Sequence, residues 1–301
     1  MNSQTSKGML LVFATAIISG FAIFLNSFGV KGFDPYLYTF LKNLVVTLFL
    51  VSLLLGLQEF KQLKKLKKKD WLILSIIGLV GGSIPFLLFF KGLSLTTAAG
   101  GAFIHKTMFI YVAVLAAVFL KEKIPSRLLI AGALLLMGNL YFLKFLPSGV
   151  QTGDLLVLAA TLFWAVENTI SKYALRTLSP RIVAFGRMGI GSVFIFIFLL
   201  FAGGLQGLSS LTPLHWQWVL ISGVILFGYV TTWYTGLKYI NVSTATVVLL
   251  LGSPVTSLLT FIFQGQPFTQ TQLIGSFLLA FGVALVVGFG TLWQTIKVLP
   301  R

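Results

Sequence analysis

The sequence has no cysteine, two histidines and six acidic residues among 301. Without cysteine there is no disulfide and no thiolate metal site. His105 and His215 are too few for a histidine-built metal centre. The acids Asp34, Glu59, Asp70, Glu122, Asp154 and Glu167 are scattered, with no H-E-x-x-H or D-x-x-D arrangement. Metal or acid–base chemistry on lipids would want such groups clustered at the water interface. No cofactor and no metal are expected. Charged residues amount to 9%, whereas a soluble domain carries about a quarter, so the chain is not expected to stay in water.

What is present is apolar. Hydrophobic residues make up 57% and mean hydropathy is +0.99. A bilayer core about 30 Å thick takes roughly 20 helical residues to cross. The sequence predicts ten such spans, near 8–29, 36–57, 71–91, 95–120, 127–145, 153–173, 181–203, 216–237, 243–264 and 270–292. All should be α-helices, because they are apolar on every side and lack the alternation of barrel strands. The junctions at 91–95 and 237–243 are tight, and a nine-span count is the alternative there. The net charge of +16 does not point to nucleic acid, because the basic residues punctuate the spans.

Loop charge sets the orientation. With the N-terminus inside, 16 basic residues fall on the inner side, including the cluster Lys61, Lys64, Lys65, Lys67, Lys68 and Lys69. The outer side receives three, Lys31, Lys91 and Lys144. By the positive-inside rule both termini are expected in the cytoplasm. Residues 9–22 could be read as a signal-peptide core, but the segment has a counterpart in the second half. The lysine cluster could bind anionic lipid or serve only as a topology signal.

The halves repeat. An offset of 145 pairs Gly8 with Gly153, Ala14 with Ala159, Pro35 with Pro180, Phe40 with Phe185 and Lys42 with Arg187. An offset of 144 pairs Gly92-Leu93 with Gly236-Leu237 and runs on through Phe119 and Phe263 to Gly138 and Gly282. The expected units are 1–146 and 147–301. Five spans per unit is odd, so the second is expected to run inverted. Two inverted units can enclose a midplane cavity open to either side at similar energy.

The five-plus-five layout, the link Lys91-Gly92-Leu93-Ser94-Leu95-Thr96-Thr97-Ala98-Ala99 and the span ending Phe119-Leu120-Lys121-Glu122-Lys123 carry a resemblance. The second half answers with Tyr234-Thr235-Gly236-Leu237-Lys238 and Leu250-Leu251-Gly252-Ser253-Pro254-Val255, with Gln266 in place of the glutamate. The chain resembles the drug/metabolite transporter superfamily, and within it the ten-helix carriers with two EamA-type domains. The resemblance implies a multi-pass carrier with helices of both halves around a central cavity.

Intramembrane ionisable residues are the candidates for that cavity: Lys42, His105, Lys106, Glu167 and Arg187. A charge at the bilayer centre costs about 2.5–3.5 kcal/mol on insertion scales, so it needs a partner, a cavity or a task. The substrate-binding set read from the sequence is Lys42, His105, Lys106 and Arg187, with Asn168, Tyr229, Trp233 and Tyr234. Lysine and arginine would hold a carboxylate or phosphate, and the rings, with Phe163 and Trp164, would stack on a planar group. Against this stands a structural reading, with Glu167 paired to Arg187, Lys42 snorkelling to headgroups, and Trp233 and Tyr234 packing or anchoring. Glu167 could carry a coupled proton or simply neutralise a cation. Gly82 with Pro85, and Gly252 with Pro254, mark candidate hinges, though glycines serve close packing equally well.

Resemblance and charge together predict a secondary transporter of a small polar metabolite, anionic or amino-acid-like, working by alternating access. A proton-coupled exporter of drugs or amphipathic metabolites is one alternative, and an integral-membrane enzyme acting on lipids another. A channel would want a filter segment, and none is evident. The expected partners are a small-molecule substrate, the lipid bilayer and a coupled proton or counter-substrate, with the chain acting as monomer or homodimer. Compact loops and the lack of a targeting extension fit a prokaryotic plasma membrane.

Overall fold

The structure, a computed structural model, describes residues 3–29, 34–93, 95–96, 98–143, 150–265 and 269–287. The chain runs as α1 (Ser3–Gly29), α2 (Pro35–Gly56), the short α3 (Phe60–Leu63), α4 (Lys68–Gly82), α5 (Ile84–Leu93), α6 (Ala98–Lys106), α7 (Met108–Leu120) and α8 (Ser126–Leu143). The second half follows as α9 (Thr152–Ala174), α10 (Pro180–Phe185), a π-turn (Gly186–Ile190), α11 (Gly191–Ala202) and a 3₁₀ segment (Gly204–Ser210). It ends with α12 (Pro213–Tyr239), α13 (Val242–Val248), a 3₁₀ turn (Leu249–Leu251), α14 (Gly252–Gln264) and α15 (Gln270–Val287). No strand occurs among the described residues.

Among the described residues eight stretches are long and apolar enough to cross a membrane, and they fall on the first four and the sixth to ninth predicted spans. The fifth and tenth positions hold shorter apolar helices, Ile130–Tyr141 and Gln270–Leu285. Helix starts follow from local chemistry. Asp34 caps α2, its Oδ1 accepting from Leu37 N–H at 2.8 Å, with Pro35 in the first turn. Ser179 and Pro180 repeat that arrangement at α10. Each supplies an acceptor for an otherwise orphaned amide and a residue with no amide to lose. Lys31, Lys144, Gln266, Gly288, Lys297 and Arg301 lie outside the described residues.

Contacts between the halves are themselves repeated. α1 packs on α12 and α14, while its counterpart α9 packs on α4, α5 and α7. α2 packs on α12 as α11 does on α4, and α8 packs on α15. The shared glycines are points of close approach. A Cβ on Gly8 would lie 3.1 Å from the Gly236 carbonyl oxygen, and one on Gly236 3.0 Å from that of Gly8. The equivalent pair, Gly92 and Gly153, gives 2.9 and 2.6 Å. Gly138 against Gly275, and Gly282 against Ala131, form a third matched set, at 3.1 and 3.4 Å. Helices already surrounded by hydrocarbon associate by packing, and small residues let backbones meet.

Polar clasps join the halves at both ends. At the end bearing the lysine cluster, Glu59 binds Arg181 in bidentate fashion and accepts from Ser179 Oγ at 3.2 Å. Glu122 accepts from Val242 N–H at 3.0 Å and Ser243 Oγ at 2.6 Å; beside it, within the second half, Lys172 donates to the Leu237 and Ile240 carbonyls at 2.7 Å each. The other end is joined by Thr96 donating to Asp154.

Two outcomes follow. Gly153→Ala should lower the thermal midpoint in detergent by an amount equivalent to about 1–3 kcal/mol of overpacking, while Gly56→Ala, with nothing within 4 Å, should leave it unchanged or raise it; equal shifts would contradict the glycine seam. The Arg181 hydrogen bonds hold the Glu59 carboxyl below its usual 4.5. A depressed folded-state pKa means the clasp stabilises above the ordinary carboxylate range and is lost as pH falls through the lowered value. Glu59→Gln should therefore cost stability at neutral pH and flatten the acid limb of a stability–pH profile.

Candidate functional site

α9 presents Trp164, Glu167, Asn168 and Ser171 on one stripe, at the three- and four-residue spacing of a helix face. The stripe faces α4, α12 and the π-turn. Glu167 is fully enclosed. Its Oε1 accepts from Ser171 Oγ at 2.6 Å and from Tyr234 OH at 2.7 Å. Arg187 Nη1 lies 3.7 Å from Oε2 and donates to Tyr234 OH at 3.3 Å. Glu167 Oε2 and Arg187 Nε have no hydrogen-bond partner.

Two backbone features make room for this pair. Arg187 sits in the π-turn, where an extra residue per turn shifts the helix register and is a frequent mark of function. Gly81 lies over Glu167, and a Cβ there would strike the glutamate side chain; Gly82 does the same for the Arg187 carbonyl. Lower on the stripe, Asn168 accepts from Trp233 Nε1 at 3.1 Å and donates to the Trp164 carbonyl at 2.8 Å. Trp164 Nε1 in turn donates to the Gly81 carbonyl at 3.1 Å.

Lys42 is 6% exposed, and no carboxylate lies within salt-bridge distance of it among the described residues. Its ammonium sits over two rings, 5.3 Å from the Tyr38 centroid and 5.8 Å from that of Phe86. Cation–π contacts of this kind offset part of the desolvation of a buried ammonium. The rings continue: Phe86 and Phe89 meet Trp164 at 5.4 and 5.3 Å, and Trp164 meets His105 at 5.1 Å. Lys106 follows His105 at the last residue of α6, where span four breaks at Thr107, and it too has no carboxylate partner among the described residues.

The structure thus joins Glu167, Arg187 and Tyr234 in one cluster, with Asn168, Trp233 and the Lys42–His105 aromatic row alongside it. It brings Tyr229 in through a stack on Trp233 at 6.3 Å. Lys42 does not snorkel; its head is enclosed by rings. Trp233 and Tyr234 are fully buried and hydrogen-bonded, so neither is an interfacial anchor. Gly82 and Pro85 flank a helix break at Ser83, and Gly252 and Pro254 follow the break at Leu249–Leu251. Span four breaks at Thr107 without a proline, at the place equivalent to Leu251. Sequence reasoning missed Tyr38, Phe86, Phe89 and Ser171. Only Ser171 carries a signal, the four-residue spacing from Glu167.

The repeat register adds one point. Lys42 and Arg187 are equivalent, but the position matching Glu167 is Ala22 and that matching Tyr234 is Phe90. The basic residue occurs in both halves, its neutralising carboxylate in one.

Comparison with known proteins bears on the family and the fold. The family model described as the EamA-like transporter family matches residues 6–143 and 151–288. The riboflavin transporter ImpX of Fusobacterium nucleatum is 29% identical, over 92% of this chain and 96% of that protein. An uncharacterized transporter of Archaeoglobus fulgidus is 26% identical over 93% and 99%, and YyaM of Bacillus subtilis, also an uncharacterized transporter, is 26% identical over 73% of each. A crystal structure superposes with a TM-score of 0.78 over 93% of this chain and 97% of that one, at 18% identity, a likeness of fold.

Because the pair is enclosed, removing one partner strands the other. Arg187→Leu or Glu167→Leu alone should cost about 3–5 kcal/mol, and the double substitution should recover most of it. Additive losses in a thermal-unfolding cycle would mean the two charges do not compensate each other.

Proposed function

Since the chain belongs to the EamA-like transporter family, we propose that it is a secondary carrier whose cargo is a small polar metabolite bearing a carboxylate or phosphate, amino acids included, moved by alternating access. It is a multi-pass plasma-membrane transporter; the cargo and the mechanism are the proposal. The observation that carries it is the charge balance. The one acid enclosed within a span is already engaged by Arg187, Tyr234 and Ser171, and the ammonium groups of Lys42 and Lys106 have no carboxylate among the described residues. An anionic cargo supplies the missing negative charge while it is bound and removes it on leaving.

The row Tyr38, Phe86, Phe89, Trp164 and His105 lies against the Lys42 head. It offers ring faces for a planar group, with lysine as a movable point charge for the anion. The relative named a riboflavin transporter makes riboflavin one ligand to include in a screen. Glu167 acts in this reading as the counter-ion of Arg187, with Tyr234 and Ser171 donating to its Oε1. The breaks at Ser83, Thr107 and Leu249–Leu251 supply places where half-helices can tilt as the cavity changes sides.

A thermal-shift screen of purified protein against organic acids, amino acids, sugar phosphates and nucleotides, with riboflavin and cationic drugs as counter-sets, reads the ligand class through linkage. Lys106→Ala and Lys42→Ala should each weaken binding of the stabilising anion by about ten- to a hundredfold, the worth of a charge-assisted contact. Stabilisation by cations alone, or anion affinity unchanged in both folded variants, would sink the reading.

A further inference from the structure

A second polar site lies away from the span-centre cluster, at the end of the molecule that bears the lysine cluster. A cavity of about 400 Å³ opens there between the end of α7, the end of α9 and the turn joining α12 to α13. Its polar lining is Lys121, Glu122, Lys123, Lys172, Arg176 and Asn241. Four cations thus face one acid, and that acid is occupied. Glu122 accepts from Val242 N–H, Ser243 N–H and Ser243 Oγ at 3.0, 3.3 and 2.6 Å. Lys172 is also committed, its ammonium directed at the Leu237, Lys238 and Ile240 carbonyls at 2.7, 3.4 and 2.7 Å. These contacts build the walls: those of Glu122 hold the two halves together, and those of Lys172 hold α9 to the α12–α13 turn. They leave Lys121 and Lys123, and Arg176 over the Tyr173 ring at 5.3 Å, as the charges that face its mouth.

Lys121 supplies an internal control. It closes α7 in the left-handed conformation, at φ 58°. That conformation costs a residue with a Cβ roughly 1–2 kcal/mol, and glycine almost nothing. The equivalent position closing α14 is Gly265, at φ 64°. The same turn is therefore made twice, once by the residue it favours and once by a strained lysine that lines the cavity. From the cavity, the committed acid and this substitution of lysine for glycine, we infer that the pocket binds a phosphate-bearing anion at the membrane surface. Bound there, the anion bridges α7 of the first half to α9 and the α12–α13 turn of the second.

The phosphate could come from a lipid headgroup or from a soluble phosphate, and the test separates them. The full chain in phosphatidylcholine nanodiscs is titrated with dihexanoyl phosphatidic acid, with inorganic phosphate, and with dihexanoyl phosphatidylcholine as blank, following the unfolding midpoint. Phosphatidic acid should stabilise the protein, and Lys121→Gln with Lys123→Gln together should weaken its binding about 30-fold, from about 1 kcal/mol per surface cation. Stabilisation by phosphatidic acid alone assigns a lipid headgroup; stabilisation by inorganic phosphate as well assigns a soluble phosphate group. If the double variant unfolds earlier without ligand, Lys123→Gln alone makes the same comparison at about fivefold. No stabilisation by either phosphate probe, or equal affinity in the variants, overturns the inference and leaves these cations a role in membrane topology only.

Discussion

One carboxylate set among three cations inside the membrane is the constraint from which the rest follows. Burying an ion costs several kcal/mol even after relaxation, and a partner offsets this only where hydrogen bonds complete its shell. Glu167 meets that condition at one oxygen, Oε1, through Ser171 and Tyr234, while Oε2 faces Arg187 at 3.7 Å without a hydrogen bond. The cluster in turn dictates backbone: two glycines on α4 that leave space for a side chain and a carbonyl, and a π-turn that carries the arginine inward. A helix bearing alanine at residues 81 and 82 could not close over this pair. What the cluster does not neutralise is Lys42 and Lys106, which have no carboxylate partner among the described residues.

The halves meet through matched glycine contacts, and their packing pattern survives exchange of the two. That symmetry is geometric rather than chemical. Equivalent backbone approaches at Gly8 and Gly236, and at Gly92 and Gly153, recur within a few tenths of an ångström. Equivalent side chains do not: Glu167 answers to Ala22, Tyr234 to Phe90 and Lys121 to Gly265. Packing needs small residues wherever backbones touch, so the glycines stay. Charge is needed on one side of the axis only, so it diverges.

Much of the frame is legible in the sequence because hydrocarbon imposes a simple rule, that a spanning backbone must satisfy itself in helices. Length and hydropathy place the helices, and the internal repeat alone pairs Lys42 with Arg187. The Glu167–Arg187 pair is readable as one of two options, since a lone acid near a base in a membrane has few other partners. The aromatic row is not. Tyr38 and Phe86 are two among many aromatic residues in the chain, and which rings flank an ammonium depends on helix rotation, which an all-round apolar helix does not encode. The π-turn is equally hidden, because Gly186-Arg187-Met188 reads as ordinary helix until packing against α4 selects the wider turn. Span four has no proline and reads as continuous, yet it breaks at Thr107, where the Thr107 hydroxyl and amide both bond the Ile104 carbonyl.

The unequal chemistry of the two ends bears on how such a carrier would work. Inverted units with identical ends would open to either side at equal energy. Here one end is held by carboxylates that cross between the halves at Glu59 and Glu122, while Thr96 and Asp154 join the other among the described residues. Each of the first set exchanges a solvated charge for a closed contact, so opening that end must rehydrate two carboxylates at once. In the proposed carrier the resting preference would be a difference between two sets of clasps, adjustable by whatever binds beside them. An anion bridging Lys121, Lys123 and Arg176 would sit against the Glu122 clasp, and so would weigh on that difference from one end only.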